Sequence, residues 1–169
     1  MKRRIFIAHA AAVSVLGWTG LAGRARAQTG EPDITKPQPE LPKAKLTIVT
    51  RDGKRYDFDV EMALTDAQQT VGLMWRREVA EGSGMLFDWH VARRSQMWMR
   101  NTLVPLDMIF IKDDGTVGAI AENTVPQSLA VIDSRVPVRA TLELAAGTAL
   151  KDNIRVGDKV ESPIFTGQG

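Results

Sequence analysis

The chain has no cysteine, so disulfides, iron–sulfur clusters, thiolate zinc sites and cysteine nucleophiles are all excluded. Histidine is almost as scarce, with His9 and His90 the only two in 169 residues. A multi-histidine zinc site cannot be built from such a supply within one subunit. His90 sits in Asp88-Trp89-His90-Val91 with no nucleophile motif beside it, so a loop or half-buried histidine is expected there rather than a catalytic triad. No dinucleotide fingerprint, EF-hand loop or nucleophile elbow occurs. Gly82-Ser83-Gly84 lacks the Gly-Lys-Ser/Thr that would make it a phosphate loop, and reads as a turn. No cofactor and no metal are expected.

What remains is ordinary in bulk. A hydrophobic fraction of 44% and a charged fraction of 25% are near the average for globular chains, and the length suits one domain. Collagen-like, mainly disordered and multi-span membrane chains are thereby excluded.

Residues 1–27 read as an export signal. Lys2, Arg3 and Arg4 form a positive start, a softened apolar run follows from Ile5 to Leu21, and Ala25-Arg26-Ala27 offers a small-x-small cleavage site. Arg3-Arg4-Ile5-Phe6-Ile7 also resembles the twin-arginine export signal, so both the general and the twin-arginine routes fit. A retained anchor is the third option, although the run is short of the roughly 20 apolar residues a spanning helix needs. A periplasmic or secreted location follows, with no membrane span once the signal is cleaved. Five of the 22 basic residues and none of the 20 acidic ones precede Gln28, so the mature chain carries a net charge of −3. Nucleic acid is therefore not an expected partner.

Residues 28–44 hold Pro32, Pro37, Pro39 and Pro42 among polar residues, which predicts an extended linker with too little apolar content to pack. The folded domain should span 45–162, with 163–169 a flexible tail. Leu46–Thr50 is strand-like, Asp52-Gly53 marks a turn, and Tyr56, Phe58, Val60 and Met62 alternate with acidic residues, which predicts a hairpin. Thr65 to Gln68 fits a capping box opening a short helix that runs to about Leu73. Met85–Phe87 and Ser95–Arg100 read as two strands. Leu106–Lys112 and Thr116–Glu122 flank the turn Asp113-Asp114-Gly115. Arg139–Ala145 should be a strand with Thr141 and Glu143 outward and Leu142 and Leu144 inward. A short helix after Gly147 and a closing strand over Lys159–Ser162 complete the pattern. The fold class is mainly β (a β-rich α+β chain), a small barrel-like or sandwich-like domain with one or two short helices.

Three strings carry a resemblance: Gly72-Leu73-Met74-Trp75-Arg76, Gly84-Met85-Leu86-Phe87, and the run Met97-Trp98-Met99-Arg100-Asn101-Thr102-Leu103-Val104-Pro105-Leu106-Asp107-Met108. Together with the late Val156-Gly157-Asp158 they closely resemble the bacterial and archaeal family catalogued as domain of unknown function 192. Met97 departs from the pattern, since an aromatic is common there. The resemblance spans Leu46 to Glu161 and implies a small, often exported β-rich domain, with no activity to carry over.

Arg76, Trp98, Arg100, Asn101 and Asp107 are the candidate ligand-binding residues. On a strand Trp98 and Arg100 share one face and Met97 and Met99 the other, and Trp and Arg are the types that dominate binding energy. Core packing is the competing reading for Trp98, and a turn for Asn101-Thr102. Asp107, ahead of Met108–Ile111, could pair with Arg76 or Arg100, or could cap a turn. The remaining methionines are spread without the close clustering of a Cu(I) site, so they are assigned to packing. The leading functional expectation is a binding or accessory module of the cell envelope, taking a small molecule, glycan or peptide, rather than an enzyme. One alternative is an envelope hydrolase that uses Asp107 with Glu143, Asp133 or Glu122 as a second carboxylate about 5 to 10 Å away. The other is a structural or assembly factor with an exposed sheet edge.

Overall fold

In the computed structural model, residues 31–165 are described. The expected export signal and residues 166–169 lie outside them. Strands β1 (Lys43–Val49) and β2 (Arg55–Ala63) form the expected hairpin, with Leu46 facing Phe58 and Ile48 facing Tyr56. The chain then crosses over through helix α1 (Asp66–Val71) to β3 (Ser83–Met97), which pairs with β2 in parallel. A parallel neighbour cannot be reached by a tight turn, so this crossover is obligatory. Strands β4 (Leu106–Ile111), β5 (Val117–Ala121) and β6 (Ile132–Ala145), the one-turn helix α2 (Thr148–Lys151) and β7 (Lys159–Glu161) follow. The fold is mostly β: one sheet of seven strands, ordered β5-β4-β6-β3-β2-β1-β7, curled into a half-barrel with two short helices.

The two edges of the sheet meet at one end. Thr116 bridges to Lys159, Val117 N–H donates to the Asp158 carbonyl at 2.9 Å, and Val160 N–H donates to the Gly115 carbonyl at 2.8 Å. Curling divides the apolar residues into two cores. The inner one draws Leu46, Ile48, Phe58, Val60, Leu86, Ile109, Leu142 and Val160 from nearly every strand. The outer one has Met85, Phe87, Leu106, Met108 and Phe110 on the strands, covered by Leu73 and Met99 from connecting segments. All six residues of β4 are buried, as a strand between two cores requires.

Several sequence expectations are corrected. Met85–Phe87 and Ser95–Met97 belong to one continuous strand, bent by register shifts after Asp88 and after Arg94. That strand ends at Met97, and Trp98–Arg100 lie in the loop beyond it. The segment ahead of β1 does pack. Gln38 Nε2 donates to the carbonyls of Gln68 (3.1 Å) and Gly72 (2.9 Å), and Leu41 joins the outer core. Its prolines suit this role, because an arm lying on a surface needs few donors of its own. Past β7, Ile164 and Phe165 pack on the inner core. The capping box at Thr65 and Gln68 forms as expected. No helix among the described residues is long and apolar enough to cross a membrane.

Asp107 explains how the closed end is finished. It is fully buried on the inner face, where Oδ2 accepts from the Ala149 N–H at 2.8 Å and Oδ1 from the Asn123 N–H at 2.9 Å. Helix α2 begins at Gly147, which has no side chain to cap it, so Asp107 supplies the acceptor from across the sheet. Asp158 does the same for a turn pair, accepting from Arg51 N–H (3.0 Å) and Arg155 N–H (2.7 Å). Replacing Asp107 by Ala orphans two amides, and should lower stability by about 3 kcal/mol in urea unfolding. Asp107→Asn, which keeps one acceptor oxygen, should lose less.

Candidate functional site

The crossover between β2 and β3 covers only part of the outer face. Where the cover stops, a cleft of about 360 Å³ opens between α1 with its following turn and the far end of β3. Gly72 closes the turn with φ +49, and a Cβ there would stand 2.9 Å from Phe87 Cζ, so the turn can lie this close to the sheet only with glycine. Val71, Leu73 and Met74 form that wall, and Phe87 belongs to the base. Trp89, Arg93, Met97, Trp98 and Arg100 form the opposite wall and mouth.

Each tryptophan of that wall carries an arginine. The Arg93 guanidinium lies 4.4 Å from the Trp89 ring centroid, and the Arg100 guanidinium lies 5.5 Å from that of Trp98. Trp89 is fixed from below, because its Nε1–H donates to Thr141 Oγ1 at 3.2 Å and its ring leans on Phe87 with centroids 5.8 Å apart. Trp98 is 45% exposed at the cleft mouth.

Glu143 lines the same cleft and is only 4% exposed. It projects from β6 to the outer face, opposite Met85 of β3 and Met108 of β4. Gly84 makes room beside it, since a Cβ at that position would collide with the Glu143 backbone carbonyl. No hydrogen bond or ion pair reaches its carboxyl among the described residues, and burial alone pushes its pKa up to about 8. The group is therefore mostly a neutral acid at pH 7, with an O–H to donate and a carbonyl oxygen to accept.

The five residues singled out by sequence part company here. Trp98 and Arg100 lie together at the cleft mouth, in the loop after β3 and not on one face of a strand. Arg76 points elsewhere, to Glu61 at 3.1 Å, in a second hollow of the surface. The same Glu61 Oε2 accepts from the Leu41 N–H at 2.8 Å, so this pair fastens the arm ahead of β1. Asn101 fastens it too. Its Nδ2 donates to the Ile34 carbonyl at 3.1 Å, and Trp75 Nε1 donates to that same oxygen at 2.8 Å. Asn101 adopts φ +58, a conformation asparagine tolerates better than most residues. Asp107 lies on the other face of the sheet and bonds neither Arg76 nor Arg100. It also cannot pair with Glu143. In the β4–β6 register Asp107 faces Leu144 and Met108 faces Glu143, so the two carboxyls project to opposite sides. Of the other two carboxylates considered, Asp133 is taken by Arg94 at 2.9 Å and Glu122 is exposed just past β5, outside the cleft lining.

Sequence reasoning passed over Trp89 and Arg93, and gave Glu143 only a supporting place. Glu143 does point outward from its strand, as the alternation indicated. What no local pattern shows is that the outer face is itself covered, so that outward means buried. His90 is exposed, with Nε2 2.8 Å from the Leu64 carbonyl, and takes no part in the cleft.

Glu143 costs the fold stability when it ionises. Its pKa in the folded state lies above the ordinary 4.5, so the native state holds a proton that the unfolded chain releases between pH 4.5 and about 8. Native stability therefore falls as pH rises through that window. Glu143→Gln should remove the fall. Thermal unfolding should show the variant more stable than the parent at pH 9, by on the order of a few kcal/mol, and the two should converge near pH 4.

The comparisons place this architecture. The chain is similar to a crystal structure from Sinorhizobium meliloti provisionally described as a transcription regulator, with 45% identity, 73% of this chain and 96% of that chain covered, and a TM-score of 0.72. It is similar also to a protein of unknown function from Novosphingobium aromaticivorans, with 36% identity, 79% of this chain and 94% of that one covered, and a TM-score of 0.71. None of the curated proteins matches. The family described as uncharacterized ACR, domain of unknown function 192, matches over residues 47–162, which takes in all three motif strings and most of the described fold. The chain therefore belongs to the domain of unknown function 192 family.

Proposed function

We propose that this protein is a binding module for a small ring-bearing molecule, held in the outer-face cleft between α1 and the end of β3. The observation that carries the reading is the doubled Trp–Arg pairing at the mouth of a cleft lined by both apolar and polar side chains. Tryptophan faces supply contact area for a sugar or aromatic ring at little entropic cost, and the two guanidiniums favour a ligand with negative charge. A volume of about 360 Å³ lies within the small-molecule range and is too little for a folded partner. The chain's first residues, with Lys2-Arg3-Arg4 and Ala25-Arg26-Ala27, support export, so the ligand would be met in the cell envelope or outside. The Sinorhizobium relative's provisional description as a regulator is compatible with ligand sensing.

The other two readings draw less from the geometry. A hydrolase with paired carboxylates would need Asp107, whose oxygens are both taken by backbone amides on the far face. An assembly factor would need a long open strand edge, whereas the edge strands here have five and three residues and meet each other at one end.

Isothermal titration with a panel of ring compounds (neutral sugars, sugar acids, aromatic amides and aromatic acids) tests the proposal. At least one class should bind saturably. Trp98→Ala should then weaken it tenfold or more, equivalent to about 1.4 kcal/mol, with the unfolding midpoint unchanged. Binding that is indifferent to Trp98→Ala, or no binding by any class, would overturn it.

A further inference from the structure

We propose that the ligand is a ring compound with a carboxylate at one end and a carbonyl-type acceptor at the other, the carboxylate meeting Arg93 and Arg100 and the acceptor taking a hydrogen bond from the Glu143 carboxyl. This rests on the binding reading above and specifies what the cleft would select. The cleft places two arginines and one buried acid at two depths. Arg93 and Arg100 are exposed at its mouth, while Glu143 is nearly inaccessible at its floor. The rest of the lining mixes ring and thioether, from Phe87, Trp89, Met97 and Trp98, with the neutral polar side chains of Gln69, Thr70, Gln96 and Thr102.

Each depth favours a different chemical group. Guanidiniums lying over tryptophan rings have N–H groups left for an anion, and a carboxylate matches their fork. At the floor, an anionic group would meet a carboxyl with no cation beside it. The charged groups that face the cleft are Asp66 from α1, Arg93 from β3 and Arg100 from the following loop. β4 brings the uncharged Met108 opposite Glu143, and its Asp107 faces the other way. A neutral carboxylic acid on this floor has an O–H with no protein acceptor. That O–H is complemented by an acceptor oxygen, as in a ketone, aldehyde, ester or amide carbonyl. Cationic amines are disfavoured by the two arginines at the entrance.

The test uses one pair of nearly isosteric probes on the full chain, read by isothermal titration. 4-Acetylbenzoate carries both groups. 4-Isopropylbenzoate keeps the ring, the shape and the carboxylate but lacks the carbonyl. At pH 6 the acetyl compound should bind at least tenfold more tightly. The advantage should disappear by pH 10, where Glu143 is ionised and repels the carbonyl oxygen. Glu143→Gln, which keeps an N–H donor at the same place, should retain the preference and lose its pH dependence. Arg93→Ala with Arg100→Ala should weaken both probes together. Equal affinity for the two probes at pH 6, or a preference that survives unchanged at pH 10 in the parent protein, would overturn the proposal. If neither probe binds while another ring compound binds in a Trp98-dependent manner, this inference fails and the binding module stands. If no ring compound binds at all, both fall.

Discussion

The central strands of this sheet are apolar on both sides, and that constraint governs the rest of the molecule. A strand such as β4, buried at all six positions, cannot sit in a sheet with one wet face. Curling solves half of the problem, because residues that alternate to one side of β1 through β7 then face one another around a shared interior. The other half needs material from outside the sheet. The crossover carrying α1, the loop after β3 and the arm ahead of β1 are all recruited to it. Their backbone groups are satisfied by side chains that lie far away in sequence, which is why so many polar residues of the motif strings turn inward.

Those polar residues divide by task. Asp107 acts as a distant cap, replacing the local acceptor that Gly147 cannot supply, and Asp158 ties the remote Arg51 amide to its own turn at Arg155. Arg76 with Glu61 and Asn101 with Trp75 hold the arm. Trp89 packs on the outer core and bonds Thr141, while Trp98, Arg93, Arg100 and Glu143 neither hold the arm nor cap a turn among the described residues. Glu143 in particular carries a burial penalty that the fold leaves uncompensated, and they gather in one cleft. There a buried, unpartnered acid lies in the same cleft as one exposed and one half-buried tryptophan.

The fold was largely legible from sequence wherever structure is local. The β1–β2 hairpin followed from period-two alternation and Asp52-Gly53, α1 from its capping box, and the β4–β5 hairpin from Asp113-Asp114-Gly115. The bend in β3 was less legible, because Trp89–Arg94 reads as a polar interruption, whereas the backbone passes through it with His90 at φ +61 and a shifted register. The arm was misread for a related reason. Its prolines and polar residues cannot form a core, yet they need not do so when Trp75, Asn101 and Gln38 supply the bonds. Trp98 and Arg100 drew notice through residue type and spacing alone. Glu143 drew less, because its meaning depends on a second covering layer contributed by segments remote in sequence.

The attachment of the arm has a mechanical side. Ile34 is gripped through one carbonyl oxygen by Trp75, which follows the turn walling the cleft, and by Asn101, next to the Arg100 of its mouth. Trp75 N–H also donates to the Asn101 carbonyl, so the two grips are one unit. The chain ahead of Ile34 is therefore tied first to the two segments that shape the cleft, with Gln38 and Leu41 as further ties behind it. The arm and the cleft walls share one backbone oxygen.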